Sequence, residues 1–333
     1  METVNEILLN LAINNINCYD KIYSSYLNEI YEMIDRILYI VIKNGKIENY
    51  KHEKWHISDK PRIDGYINLL NRTLTMFPNI NYNFILLINL SDKPYNLPIF
   101  NFCKLPGQKT FLFPTFRLGH DDITIEKGFN TENEWSNNRN YLMSYPKEFN
   151  DKIDKFYMSG IAHSQKMGFF IYALNNLDIC DFYLVNSIGH NNPCFKADTA
   201  LYRQILDLHK TTIDDWIFRD YKENLDFKYL IYTDGNTLSD RMRLYLNSKS
   251  IIFMYKPEYE EYFSPLISDM NNYIIFDDYN ELRNLKNKVE NDKNLINNIL
   301  NNNKLFNELF LKPESIYTYI HYCLEQYSKI IVI

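Results

Sequence analysis

The stretch FKYLIYTDGNTLSDRMRLYLNSKSIIFMYKPEYEEYF, Phe227 to Phe263, has the residue types and spacing of an anion-binding turn. An apolar run, Lys228 to Tyr232, reads as a buried strand. The chain then turns through Asp234-Gly235-Asn236-Thr237, and a segment with helical spacing carries Arg241 and Arg243 in its first turns. A strand, a glycine turn and a helix N-terminus present free backbone N–H groups to a phosphate. Arginine adds a charge-assisted, often bidentate contact. A second strand, Ile251 to Tyr255, and an acidic segment, Glu258 to Glu261, follow. The competing local reading is an Asx turn capping a helix, with Arg241 in an ordinary surface pair.

A second candidate group is Asp92 in Ile88-Asn89-Leu90-Ser91-Asp92-Lys93-Pro94, where a buried strand ends. A carboxylate there could take a proton from a substrate hydroxyl, or it could simply cap a turn before Lys-Pro. Asp-Gly-Asn-Thr is also similar to the DxDGT motif of haloacid-dehalogenase-type phosphatases. The nucleophilic position of that motif is Tyr232 here, so covalent phosphoryl chemistry has no nucleophile. Two of Glu258, Glu260 and Glu261 are expected to favour a helix dipole, and one facing a cleft could accept hydrogen bonds from a sugar diol. His120-Asp121-Asp122 and Asp277-Asp278 read as solvated loop acids, since neither has the Asp-x-Asp spacing that holds a divalent ion on a diphosphate. His52, His56 and His190 form no ligand pattern. Trp55 and Trp135 could line a sugar site, although core or rim positions are commoner.

These residues need a scaffold. Residues 1–45 read as helices, with Ile22, Tyr26, Ile30, Ile34 and Leu38 at helical spacing. The region Ile47 to Asp64 reads as polar and turn-rich, and a helix is expected from about Gly65 to Met76. Phe84 to Ile88 is a continuous apolar run, the pattern of a strand covered on both faces, and Leu97 to Phe102 and Thr110 to Phe113 are further short strands. In the second half, strands are expected at Lys155 to Met158, Asp181 to Val185 and Tyr273 to Phe276, with Ser159-Gly160 as a turn. Helices are expected near Lys166 to Leu174, Lys196 to Leu208, Ile213 to Asn224, Glu281 to Val289, Asn294 to Phe310 and Glu314 to Ile331. Strand–helix alternation in both halves predicts an α/β chain with two parallel sheets, helices on both faces. A seam near Lys147 to Asp154 divides residues 1–150 from 151–333. Two doubly wound domains facing one another make a cleft, and ligands of such folds bind at strand C-terminal ends.

Composition narrows the function classes. The 333 residues exceed one ordinary domain. A net charge of −6 argues against a nucleic-acid groove, which needs a basic face. The 5 cysteines are scattered and odd in number, with no CxxC, so reduced thiols and a cytoplasmic location are expected. The N-terminus has acidic residues early and no basic n-region, unlike a signal peptide. The apolar run Ile37 to Ile42 is too short to span a bilayer. The Asn-rich stretch Asn297 to Asn303 reads as the polar face of a helix, because Leu295, Ile299, Leu300, Leu305 and Leu309 recur through it.

Two motifs in order, more than a hundred residues apart, then carry a resemblance. INLSDKP followed by LPIFNFC, and later the Phe227 to Phe263 unit, resemble glycosyltransferase family 90, which includes Rumi-like protein O-glucosyltransferases and fungal capsule-associated xylosyltransferases. The resemblance is strongest from Phe227 to the end of the chain and fits the element order from about Gly65. The first sixty or so residues show no clear match. The resemblance implies a GT-B-like fold of two Rossmann-like domains, here with extra N-terminal helices. Residues 1–150 would form the acceptor and base domain, and 151–333 the donor domain, with the C-terminal helix packing back on the first. It implies inverting transfer of a sugar, xylose or glucose, from a UDP-sugar to a hydroxyl of a glycan or protein, with no metal or other cofactor. Asp92 takes the family's general-base role. Ser239 and Arg241 fall to the donor pyrophosphate, with Gly235, Asn236 and Thr237 shaping the same loop. Glu261 falls to the donor's sugar or ribose.

The chain departs from the family where a Phe-Arg-Gly turn usually opens the second domain. Here it is Met158-Ser159-Gly160, so Ser159 and Gly160 stand at the donor site without the guanidinium, which Lys166 or Arg243 would have to replace. That departure motivates the alternative of a catalytically inactive member that binds a glycan or a partner protein. A third option is a nucleotide-dependent enzyme of other chemistry. Donor and acceptor are the partners expected, with no nucleic acid and no membrane span.

Overall fold

A computed structural model describes residues 2–52, 59–78, 82–119, 135–161, 165–185, 221–235, 237–239 and 241–332. The chain is a mixed α/β protein with two five-stranded, parallel-rich sheets. The first sheet comprises β2 (Ile37–Lys43), β3 (Lys46–His52), β4 (Phe84–Asn89), β5 (Phe100–Asn101) and β6 (Phe111–Leu112), in spatial order β3-β2-β4-β5-β6. The second comprises β7 (Ile153–Ile161), β8 (Cys180–Val185), β9 (Phe227–Tyr232), β10 (Ile251–Tyr255) and β11 (Ile274–Phe276), in order β11-β10-β9-β7-β8.

Every pairing in the second sheet is parallel. Taken in chain order, its strands run 2-1-3-4-5, a doubly wound arrangement whose direction of winding reverses between β7 and β9. Side chains alternate across it with the period of a strand. Leu230, Tyr232, Ile252 and Met254 face the core shared with the first half. Tyr229, Ile231, Ile251 and Phe253 face a separate core, which holds residues of the helices Gln165–Leu174, Leu282–Glu290 and Lys293–Phe310.

The first sheet differs from the expected all-parallel form. β2 runs antiparallel to both β3 and β4, while β4, β5 and β6 are parallel. The chain between 34 and 52 is therefore a strand hairpin and not helix followed by loop. Helix Ser24–Met33 stops because the next residues, Ile37 to Ile42, are mostly β-branched and are buried on both faces. Asn44 and Gly45 have φ of 50° and 68°, the geometry of a two-residue primed turn. The helix expected from Gly65 begins earlier, at Asp59, because Pro61 falls in its first turn, where a missing N–H costs nothing.

Three features tie the halves together. The C-terminal helix Pro313–Ile330 lies against the first sheet, with Tyr319 donating to the Leu112 carbonyl at 3.2 Å and Tyr327 to the Ile85 carbonyl at 3.1 Å. β12 (Ile331–Val332) then pairs in parallel with β1 (Ile22–Tyr23). Lys104 and Glu260 form an antiparallel bridge with backbone bonds of 2.9 and 2.8 Å. Trp135 is core and not a surface platform: it is 1% exposed and its Nε1 donates to the Leu311 carbonyl at 2.5 Å. Among the described residues no helix is long and apolar enough to cross a membrane.

Candidate active site

Asp92 is held by a network that starts at the end of β4. Asn89, 1% exposed, accepts from the Ser91 N–H at 2.8 Å. Its Nδ2 donates to the Lys93 carbonyl and to Asn101 Oδ1, both at 2.8 Å. Asn101 is the central residue of Phe100-Asn101-Phe102. It also accepts from the Tyr95 N–H at 3.2 Å and donates to the Thr110 hydroxyl. INLSDKP and LPIFNFC are therefore one hydrogen-bonded unit, and their spacing reflects two parallel strands whose exits are tied by a buried asparagine pair. Buried amides satisfied in this way rigidify what they hold.

The Asp92 side chain is half exposed, and Arg62 Nη2 donates to its Oδ1 at 2.6 Å. Arg62 Nη1 donates to the Leu90 carbonyl, also at 2.6 Å. Arg36 reaches the same carbonyl at 3.3 Å and pairs with the buried Asp59. Neither arginine stands out in the sequence, since Arg36 lies in a stretch read as helix and Arg62 in one read as a polar loop.

On the opposite side, Asp234 follows β9 and is 2% exposed. Its Oδ2 accepts the Glu258 N–H at 2.9 Å, which fastens the segment after β10 to the end of β9. Burial raises its carboxyl to about 6, against the pull of backbone donors at Glu258 and Tyr259. The Gly235 N–H donates to the Thr237 carbonyl at 2.6 Å. Asn236 lies outside the described residues. Ser239 is fixed through its carbonyl, which accepts from the Tyr232 hydroxyl at 2.7 Å.

Arg241, in the segment after β9, reaches across to the end of β7. Its Nη1 donates to the Ser159 carbonyl at the end of β7. Gly160 has φ of 153°, and a Cβ there would stand 3.3 Å from Arg241 Nη2. A side chain at 160 would crowd the guanidinium. Ser159 and Gly160 are not a turn, as the sequence suggested, but the last part of β7, paired with Tyr183 and Leu184 of β8. The helix after Arg241 is only Met242–Tyr245, a single turn, so the guanidinium and not a helix dipole dominates the charge here. Arg243 is 2% exposed and lies over the Trp135 ring at 4.8 Å. Lys166 is buried in the helix Gln165–Leu174.

The two sides meet. A cavity of about 170 Å³ is lined by Arg62, Asp92 and Arg117 from the first half and by Thr237 and Leu238 from the second. Leu238 also lines an adjoining cavity of about 190 Å³ that contains Glu261, Tyr259 and Tyr232. Glu261 is buried, and Glu258 to Glu261 do not open a helix as expected. The backbone bridge from Glu260 to Lys104 keeps that segment extended. Between the cavities Cys103 is fully buried, and its thiol is pushed up to about 12 by burial, with Glu261, Asp234 and Asp92 adding to the effect. It is an inert packing group at the junction.

Among the described residues no group of three or more His, Cys, Asp or Glu side chains is arranged to hold a metal ion. Asp278 instead caps a turn by accepting the Asn280 N–H at 2.9 Å. His120-Asp121-Asp122, Trp55, His56 and His190 lie outside the described residues, as do the helices expected at 196–208 and most of 213–224.

No curated protein matches the chain. The profile of Glycosyl transferase family 90 matches it over residues 31–333, beginning well before Gly65 and taking in the β2–β3 hairpin, both sheets and the C-terminal helix. The chain therefore belongs to glycosyl transferase family 90 and is an enzyme that transfers a sugar from a donor to an acceptor.

Proposed function

We propose that the protein is an inverting, UDP-sugar-dependent transferase of GT-B-like arrangement, with Asp92 as general base and the β7–β9 exit as the donor site. The observation that carries this reading is the shared cavity: Asp92 of one half and Thr237 of the other line the same space. That space adjoins the β9 end of the winding reversal, where ligands of doubly wound sheets bind. Arg241 stands at that reversal, bonded to the end of β7.

In this reading the donor diphosphate lies against Gly235–Thr237, Ser239 and Arg241, with Ser159 and Gly160 forming its floor. The acceptor oxygen attacks the anomeric carbon, its proton passes to Asp92, and the bond from that carbon to the diphosphate oxygen breaks. Arg241 stabilises the charge that develops on UDP as it leaves, which is the role a divalent ion would otherwise play. Arg62 holds the Asp92 carboxylate toward the cavity. Glu261, in the adjoining cavity, accepts hydrogen bonds from hydroxyls of the donor sugar or ribose. The small volume beside Asp92 suits a donor of xylose or glucose size, transferred to a hydroxyl of a glycan or protein.

The test is to incubate the purified protein with each UDP-sugar and measure UDP release with and without sugar acceptors. Release stimulated by an acceptor with UDP-xylose or UDP-glucose supports the reading. No UDP binding at millimolar concentration would favour a non-catalytic glycan- or protein-binding role.

A further inference from the structure

The Asn-rich stretch Asn297 to Asn303 has no part in the site above. It lies on helix Lys293–Phe310, which covers the outer face of the second sheet. Between this helix and the chain segments that enter β7 and β10 is a cavity of about 410 Å³, a size within the roughly 300–1,000 Å³ range of small-molecule sites. Phe149 and Ser250, which precede those strands, line it. It therefore sits at the N-terminal ends of the strands, at the opposite end of the sheet from Gly160 and Gly235.

Carboxamides dominate its polar wall: Asn247, Asn297, Asn301, Asn303 and Asn307. Asn303 already exchanges hydrogen bonds with Asn272, and Asn307 accepts from Arg139, so Asn297 and Asn301 are the carboxamides a ligand would meet. Asn247 is 4% exposed, and its Nδ2 donates to the Arg243 carbonyl at 2.7 Å. Among the described residues its Oδ1 has no hydrogen-bond partner, a costly state for a buried carbonyl in the cavity wall. The cations of the wall already have anionic neighbours. Lys249 Nζ is 2.5 Å from the Glu148 carboxylate, and Lys304 Nζ is 4.0 Å from that of Glu308. An anion would gain little here. Met143, Phe149 and Leu300 supply an apolar patch.

We propose that this cavity is a second saccharide-binding site, taking one or two rings of a neutral glycan away from the transfer centre. A sugar hydroxyl donates and accepts at once, and so does a carboxamide. The apolar patch would meet the C–H face of a ring. The inference rests on the enzyme's handling of glycans and on no role given to Asp92 or Arg241.

Saturation-transfer NMR with cellobiose, maltose and xylobiose, with and without UDP, tests it. At least one disaccharide binds the wild-type enzyme in the millimolar range whether or not UDP is present. Asn301→Trp, which fills the cavity, and the double variant Asn297→Ala/Asn301→Ala each weaken that binding by about tenfold or more, with unfolding temperature and UDP release little changed. Asp92→Asn leaves disaccharide binding intact. No binding to wild type at tens of millimolar, binding unaffected by both cavity variants, or binding lost on Asp92→Asn would each overturn the proposal. If UDP fails to bind while the disaccharide responds to the cavity variants, the transfer reading falls and this one stands.

Discussion

Arg62 Nη2 lies 2.6 Å from Asp92 Oδ1, while Nη1 of the same guanidinium donates to the Leu90 carbonyl at 2.6 Å. One planar fork thus fixes a half-exposed carboxylate relative to the backbone that carries it. The pair contributes little to stability, about 0–1 kcal/mol for an ion pair open to solvent. Its effect is on position. Arg62→Ala is expected to lower kcat by about 10–100-fold, since small misplacements of a catalytic group carry costs of that order. UDP affinity should stay close to wild type. Steady-state kinetics beside UDP titration separates the two, and a loss in UDP affinity alone would contradict this placement.

Gly160 and Arg241 form the second relationship. A Cβ at 160 would stand 3.3 Å from Arg241 Nη2 on a backbone with φ of 153°. Gly160→Ala should therefore act like a weaker form of Arg241→Ala. Loss of the arginine removes a charge-assisted hydrogen bond, worth about 1.5–3 kcal/mol, or roughly 10–100-fold in UDP affinity. Calorimetry of UDP with both variants checks the order of effects.

The Asn89–Asn101 pair is buried and fully engaged. Asn101→Ala leaves Asn89 Nδ2 and the Tyr95 N–H short of an acceptor, at a cost on the order of 1–3 kcal/mol. The expected result is a lower urea midpoint with an unchanged slope. The same variant should lose activity, because the Asp92 loop hangs from this pair.

Much of this region was legible before the structure. The runs Phe84 to Ile88, Lys228 to Tyr232 and Ile251 to Tyr255 are continuous and apolar, and such strands announce themselves. Pro313 marked the start of the last helix. The β2–β3 hairpin was not legible as read. Ile30, Ile34 and Leu38 satisfy helical spacing, while the β-branched run and the Asn44-Gly45 turn, the better signals, point to a hairpin. The Arg241 segment had helical spacing too, but only one turn forms, because Leu246 to Lys249 turn back into β10. Arg62, Arg36 and Asn101 could not have been picked out. Their importance lies in partners far along the chain, and periodicity carries no signal for that.

Asp234 makes a pH prediction. Burial raises its carboxyl to about 6 from an ordinary value of 3.8. Between those values the folded protein holds more protons than the unfolded chain, so this group makes stability fall as pH rises from about 4 to about 6. Asp234→Asn removes that slope. The wild-type and variant stability curves should converge toward pH 4, and the variant should gain on wild type, by on the order of 2 kcal/mol, as pH passes 6. Urea unfolding at stepped pH reads this directly.

The most direct measurement is paired UDP binding and sugar transfer by Asp92→Asn. With Asp92 as general base, UDP affinity stays nearly unchanged and acceptor-dependent transfer falls by at least about 100-fold, the range for removal of such a group. Full transfer activity in that variant would contradict that role.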